Sequence, residues 1–410
     1  GGRTEAIRTA FMRRALEDWE RGEELAVTYM REQVERFSPK SRAILEIQSD
    51  RDLEILEKIY ANSVLVGDDG PDGWGVKYAR EFDMTNDSKL FPSRPTWEAK
   101  GYRPDEYSRW LLGRWRPIEE LWAELGVDPA RVMPADVELE EWLFDSTAGP
   151  ERRQAEAQYI YGHLLKPGDV ARTPWRLRCA QPPYDALPIP RADIPAGIVL
   201  SREADAWIRE DEIENVALPL YQGVMIYGLS TNASHYLRGA GHRAAWQRFE
   251  TFADVVSPQF LLSEADMPDE KSELVIGFRA LSNATNERTF VTALLGKWPC
   301  GNSLGLLTLR GGVLEHALAT ACSGSLVFDW CLRQRIVGTN VNSFFLWEVP
   351  WPELVPFGLT VPLFGLNLCT VRMAPSALRL VEHSGRSWKA LWAATTGARC
   401  RAIAVLDTVA

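Results

Sequence analysis

The sequence predicts a mixed α/β (α+β) protein: a curved, mixed sheet with flanking helices, an N-terminal helical connector and a C-terminal helical tail. Three observations carry this. Short β-branched runs bounded by turn residues, such as Leu274-Val275-Ile276-Gly277-Phe278-Arg279, read as strands. Apolar residues recurring every three to four positions, as over Leu314 to Gln334, read as helices. The chain also has 410 residues, 46% of them hydrophobic and 25% charged, enough to bury a large core over two or three domains.

In chain order, Thr4 to Arg36 carries a helical pattern, with Ile7, Phe11, Ala15 and Trp19 about four positions apart. Charges of both signs fill the intervening positions, as in an amphipathic connector. Ser38-Pro39-Lys40-Ser41 interrupts it. A second helix is expected up to Tyr60, with Ser49 or Asp50 as its N-cap. Together these make a helical connector over 1–62, followed by a domain over 63–350. Gly67 to Gly73 is turn-rich and acidic but lacks the spacing and final Glu of a calcium loop. Trp74 to Met84 alternates like a half-buried strand.

Residues 101–215 read as an irregular insertion. Within it Tyr107 to Leu125 is tryptophan-rich and helical in pattern, and Pro129, Pro134 and Pro150 punctuate the stretch after it. Leu218 to Ile226 reads as a compact apolar strand around Gly223, which marks either a close backbone approach or a bulge. Leu274–Arg279 and Phe290–Leu295 read as paired strands joined through the polar stretch Ser282 to Thr289. Ser303 to Leu309 is a third strand, Leu314 to Gln334 an apolar helix, and 351–410 a helical tail that stops in mid-pattern.

Composition narrows the function. No apolar run has the length of a membrane span and no secretory signal opens the chain, so no membrane partner is expected. The opening Gly1-Gly2-Arg3 reads as a processed or excised start. Six cysteines without a CxxC pair argue against structural zinc and for a reducing, cytoplasmic setting. A net charge of −10 excludes a uniformly basic surface, yet a local basic face can sit on an acidic body. Sixteen tryptophans imply large buried or stacking surfaces.

Catalytic motifs are missing. There is no P-loop lysine motif, GxSxG elbow or HExxH, and the five histidines are scattered. Gly239-Ala240-Gly241 is the nearest thing to a cofactor loop, but it follows no buried strand. Gln181-Pro182-Pro183-Tyr184 has the shape of an amino-methyltransferase tetrapeptide, which should follow a buried apolar strand. Thr173 to Ala180 instead contains Pro174, Arg176 and Arg178, so a proline-rich loop is the better reading. No catalytic, metal or cofactor residue is assigned in this chain.

What recurs instead is clusters of short polar side chains at strand ends: Thr85 to Ser88, Ser282 to Thr289, Gly301 to Ser303 and Thr339 to Asn342. Arg279, Arg288, Arg333 and Arg335 accompany them. Asn can bond adenine bidentately and Arg guanine, while Ser, Thr and Lys hold phosphates. The same residues also build loops that bond their own backbone, and both readings are open.

Several blocks then match a family. They are Phe82-Asp83-Met84-Thr85-Asn86-Asp87-Ser88-Lys89-Leu90-Phe91; Leu218 to Ile226; Phe278 to Thr289; Gly301-Asn302-Ser303-Leu304; and Ser323 to Arg333 with Gly338 to Asn342 and Val349-Pro350-Trp351-Pro352. Their order over about two-thirds of the chain resembles the target-recognition region of large adenine-specific DNA methyltransferases. These are the type IIG-like group from restriction–modification and phage-defence systems. The helix followed by a proline-flanked strand is also similar to the close of type I specificity subunits.

The resemblance implies a methyltransferase domain upstream, in the same chain or a separate subunit. That domain would use S-adenosylmethionine on a flipped adenine, while this chain reads double-stranded DNA and holds no cofactor itself. It implies DNA contacts from Asn86, Lys89, Asn283, Asn286, Arg288, Asn302 and Asn340, as readers or turn-makers, and from Arg279 and Arg333, on phosphate or base. Arg288 has an alternative role as a buried partner of Asp83 or Asp87. Gln222 and Val224 depart from the family, which often has an acidic residue and a lysine around that glycine. Residues 101–215 match nothing in it. Two other functions are compatible with the sequence: a self-contained methyltransferase built on Gln181 to Tyr184, or a protein-interaction subunit of a defence complex.

Overall fold

A computed structural model describes residues 4–11, 13, 15–130, 187–189, 194–248, 256–268 and 274–352. The class is mixed α/β, with helices and open sheets and no closed barrel among the described residues. In chain order the strands are β1 (Ala6–Thr9), β2 (Val27–Met30), β3 (Ser63–Leu65), β4 (Lys77–Ala79), β5 (Arg103–Pro104) and β6 (Trp110–Gly113). Next come β7 (Arg116–Pro117), β8 (Ile198–Leu200), β9 (Ala206–Arg209), β10 (Ile213–Pro219), β11 (Ser234–Arg238) and β12 (Ala245–Arg248). The last are β13 (Leu261–Ser263), β14 (Val275–Arg279), β15 (Thr292–Leu295), β16 (Leu304–Thr308) and β17 (Pro350–Pro352).

They form sheets ordered β15-β14-β16-β4, β13-β10-β6-β5 and β7-β9-β8, plus the pairs β1-β2, β11-β12 and β17-β3. Among the described residues every ladder is antiparallel; parallel pairing occurs at the isolated bridges Phe82–Gly301 and Tyr221–Cys300.

In the central sheet β15-β14-β16-β4, the three strands β14, β15 and β16 are covered on both faces, which is why they read as unbroken apolar runs. Ile276, Phe278, Leu294 and Leu307 face one core, with Phe290, the helices Val313–Ser323 and Leu326–Arg333, and the N-terminal residues Val27, Tyr29, Phe37, Leu53 and Leu56. Val275, Ala293, Leu295, Leu304 and Leu306 face a second core, with Leu218, Tyr221, Met225 and Trp298. The side-chain period of two along a strand sorts these residues to opposite faces. Gly305 lies opposite Phe278 in the β14–β16 ladder, and a Cβ there would sit 2.2 Å from the Phe278 ring. The glycine leaves room for Phe278 to lie over the sheet and pack on Phe290, ring centroids 5.0 Å apart.

Strands β14, β15 and β16 stand where the sequence puts them, and so does the helix Asp50–Ala61, whose N-cap Ser49 accepts from the Asp52 N–H. Other expectations are corrected. The helix over Thr4 to Arg36 is instead β1, a short helix Leu16–Glu20, β2 and a helix Arg31–Phe37, with β1 and β2 paired. The four-residue spacing misled because Ile7 is 40% exposed and Trp19 79% exposed, so they mark no buried stripe. The buried residues are Val27 and Tyr29, two apart on β2.

The strand expected over Trp74 to Met84 shortens to β4. The helical pattern of Tyr107 to Leu125 resolves into β6, β7 and the helix Ile118–Leu125, because Gly113 and Pro117 break it. The described parts of 101–215 carry the regular strands β5 to β9 and the start of β10; short strands separated by Pro104, Gly113 and Pro117 hide their period. The strand expected over Leu218 to Ile226 ends at Pro219 and continues as a single 3₁₀ turn, Gly223–Met225. The long helix of Leu314 to Gln334 breaks at Gly324, and Ser325 caps the second half by accepting from the Phe328 N–H at 3.1 Å.

Arg335 is a core residue rather than a companion of the polar clusters. Its guanidinium meets Glu348 Oε2 at 3.2 Å and donates to the Phe37 carbonyl, Ser38 Oγ and the Tyr60 hydroxyl. Glu348 in turn accepts the Lys40 and Ser41 N–H groups at 2.7 and 2.8 Å. Among the described residues no helix is long and apolar enough to cross a membrane. Gln181 to Tyr184 and the tail beyond Pro352 lie outside the described residues.

Candidate nucleic-acid interface

Antiparallel pairing brings all four polar clusters to one end of the central sheet. Arg279 at the end of β14 pairs with Leu304 at the start of β16, and Phe278 pairs with Thr292 at the start of β15. Strand β4 runs antiparallel to β16, so it also leaves at this end. The chain beyond it is tied there by Phe82 N–H to the Cys300 carbonyl, 3.1 Å, and Asn302 N–H to the Phe82 carbonyl, 2.7 Å. The fourth cluster joins through Ser282 N–H to the Thr339 carbonyl, 3.0 Å, and Val341 N–H to the Ala280 carbonyl, 2.9 Å.

The loop Ser282 to Thr289 is braced from inside and from outside. Inside, Asn283 Oδ1 accepts the Thr285 N–H at 2.9 Å and hydroxyl at 2.7 Å, a side-chain turn that uses up the Asn283 acceptor. Thr289 Oγ1 donates to the Asn283 carbonyl at 3.1 Å. Outside, the buried carboxylate of Asp329 accepts the Phe290 N–H at 2.7 Å and the Arg333 Nε–H at 2.7 Å, with Arg288 Nε 3.7 Å away. Arg333 then donates to the Ala284 and Glu287 carbonyls, and Arg288 to the Gly324 carbonyl. One helix, Leu326–Arg333, thereby fixes the whole loop through an aspartate and an arginine four residues apart on one face.

The neighbouring loop is built on Asp83. Its Oδ1 accepts the Thr85 and Asn86 N–H groups at 2.9 and 2.8 Å, and its Oδ2 accepts from Asn302 Nδ2 at 2.8 Å. The Asn86 and Thr85 amides, with Asn302, hold the Asp83 carboxyl below its ordinary range. Asp87 closes the turn by accepting the Asp83 N–H at 2.8 Å.

Among the described residues, Arg279 meets no carboxylate. Its Nε donates to the Gly223 and Ile226 carbonyls at 2.7 and 3.0 Å, and its Nη2 to the Ile226 carbonyl at 2.6 Å. Burial, and then the nearby Arg248, draw its pKa down from the usual arginine value. Gly223 permits this turn: its N–H reaches Ser303 Oγ at 3.0 Å, and a Cβ there would lie 2.8 Å from the Ser303 carbonyl oxygen. The close-approach reading of Gly223 is therefore the right one.

The expected contact residues divide. Arg279, Arg288 and Arg333 turn donors inward onto carbonyls and Asp329, and Arg288 pairs with Asp329 rather than with Asp83 or Asp87. Asn302 and Asn283 are half-buried turn-makers. Asn86, Lys89, Asn286 and Asn340 are exposed at the end of the sheet. Of these, Asn286 donates to Ser282 Oγ at 3.1 Å, which orients its amide without covering it.

Sequence reasoning missed Asp329, though its spacing from Arg333 was a visible local signal, and it missed Tyr227. The Tyr227 hydroxyl donates to Glu287 Oε2 at 3.0 Å, and its ring carries the guanidinium of Arg248 at 4.5 Å and of Arg279 at 5.3 Å. Burial and the Glu287 carboxylate push the phenol up, so it stays a donor at neutral pH. No group of side chains suited to a metal ion occurs among the described residues. A cleft of about 430 Å³ lies between Thr4–Ile7 and Tyr29–Arg42 and gathers none of the polar-end residues. No protein-family model, curated protein sequence or solved structure matches the chain.

Proposed function

We propose that this chain reads a duplex DNA site for an adenine-N6 methyltransferase of a restriction–modification or phage-defence system, in the cytoplasm. A partner domain or subunit upstream holds S-adenosylmethionine and performs the transfer on a flipped base. The observation that carries the reading is the meeting of four polar clusters, far apart in sequence, at one end of one sheet. The backbones of Thr85 to Ser88 and Ser282 to Thr289 are held by Asp83, Asp329 and Arg333, while Asn86, Lys89, Asn286 and Asn340 stay exposed. A reader needs that combination, because amides discriminate bases only when their positions are fixed before binding. The order of the matching sequence blocks supports the same family of functions.

The test is selection from a pool of random-sequence duplexes. A reader enriches one sequence, and its affinity falls steeply with salt. An in-frame methyltransferase domain encoded upstream of Gly1 is the companion expectation. A second reading, a protein-interaction subunit, is favoured by the exposed Leu281, Leu326, Val327 and Val337 near the same loop. That reading expects no duplex binding even at low salt.

A further inference from the structure

We propose that the hairpin β11–β12, Ser234 to Arg248, is a basic ribbon that lies against the sugar–phosphate backbone of the duplex; the proposal rests on the DNA-reading function above. In a chain of net charge −10, no Asp or Glu occurs between Glu214 and Glu250. Within that interval Arg238, Arg243 and Arg248 are exposed on the hairpin.

Several exposed arginines elsewhere are neutralised by carboxylates. Arg8 meets Glu23, Arg21 meets Glu24, Arg51 meets Glu54, and Arg103 meets Asp205. Among the described residues, no ion pair or hydrogen bond engages the side chains of Arg238 and Arg243, and Arg248 rests on the Tyr227 ring. Unpaired guanidinium groups on a protruding ribbon keep their forked donors for an external anion, and phosphate geometry suits them.

The ribbon is stiff at its base and shaped at its tip. Tyr236 and Trp246, paired across the ladder, meet edge to face with centroids 5.7 Å apart, and Arg94 covers Tyr236 at 5.2 Å. The register shift between Tyr236 and Arg238 marks a bulge, which tightens the local twist. At the tip Gly239 takes φ +95°, and a Cβ there would fall 2.2 Å from the Arg243 carbonyl oxygen. The Arg243 N–H closes the turn on the Ala240 carbonyl at 3.0 Å.

Its position agrees. Arg248, Tyr227 and Glu287 form a continuous run from the base of the hairpin to the loop Ser282 to Thr289. A duplex read by that loop therefore passes beside the ribbon. The contact is to phosphate and carries no sequence information, so it supplies the positive charge that the polar end, with Asp83, Asp87 and Glu287, lacks.

The experiment measures the salt dependence of full-chain binding to a labelled duplex of mixed sequence, for wild type, R238A/R243A and R238K/R243K. Removing two phosphate contacts should make the slope of log affinity against log salt shallower by roughly two units. Between about 50 and 200 mM salt, wild type should then lose about tenfold more affinity than R238A/R243A. R238K/R243K, which keeps the charges, should retain the wild-type slope and shows that the alanine effect is electrostatic rather than a misfolded hairpin. Wild-type binding with an unchanged slope in R238A/R243A overturns the ribbon and leaves the DNA-reading function standing. No wild-type binding at low salt overturns both.

Discussion

The loop Ser282 to Thr289 and the hairpin β11–β12 both present arginines at one end of the molecule, and they use them in opposite ways. At the loop, Arg288 and Arg333 share Asp329 and donate inward to Ala284, Glu287 and Gly324. At the hairpin, Arg238 and Arg243 have no carboxylate among the described residues and extend from a ribbon whose base alone is packed. An arginine's closeness to a binding end thus says little about contact. What decides is whether its donors are already spent. The loop converts positive charge into rigidity and offers neutral amides, while the hairpin keeps charge available and offers no discrimination.

The sharpest way to break the comparison is Asp329→Ala. It leaves the buried Phe290 N–H unpaired and two half-buried guanidinium groups without their carboxylate, and should cost about 2–4 kcal/mol in chemical denaturation. A loss under about 1 kcal/mol would mean that Asp329 does not brace the loop. Gly223→Ala comes next. Its Cβ would press on the Ser303 carbonyl and displace the carbonyls that hold Arg279, for about 1–3 kcal/mol in thermal or denaturant melts.

The Asp83 turn tests the same rigidity by pH. Its folded pKa lies below the unfolded value of 3.8, so its contribution is present above that value and lost as pH falls through the folded one. The protection of the Thr85 and Asn86 amides from exchange, relative to their intrinsic rates, should fall only in that acid range, and protection that is flat down to the lowest pH would contradict the turn. The smallest stability change belongs to Asn286→Ala, within about 0.5 kcal/mol because the side chain is exposed. Yet the same variant should lose about tenfold affinity for the sequence enriched from a duplex pool, and much less for unselected duplex. Equal losses on both would move Asn286 from reader to bystander.

The legible parts of the fold are those whose signal is local. Strands β14, β15 and β16 are short apolar runs with turn residues between them, and Ser49 capping Asp50–Ala61 is a pattern within four residues. The N-terminal hairpin was not legible, because Ile7 and Trp19 mimic a helical stripe while burial follows Val27 and Tyr29. At the polar end, the residue types were visible but their allegiance was not. Whether Arg288 meets DNA or Asp329 depends on a helix some forty positions downstream, and no spacing rule reaches that far. Asn302 is the same case, since its partner Asp83 lies 219 positions upstream.

The Glu348 carboxylate, which accepts the amides of Lys40 and Ser41, imposes an order on synthesis. Glu348 and Lys40 are separated by 308 positions, and β3 waits almost as long for β17. At about 5–20 residues per second, the ribosome exposes Phe37, Leu56 and Tyr60 for tens of seconds before residues 335–352 arrive to cover them. Phe37, Leu56 and Tyr60 therefore reach their final packing only after residues 335–352 have been made. Closure of this core is a late event, completed by the last described strand.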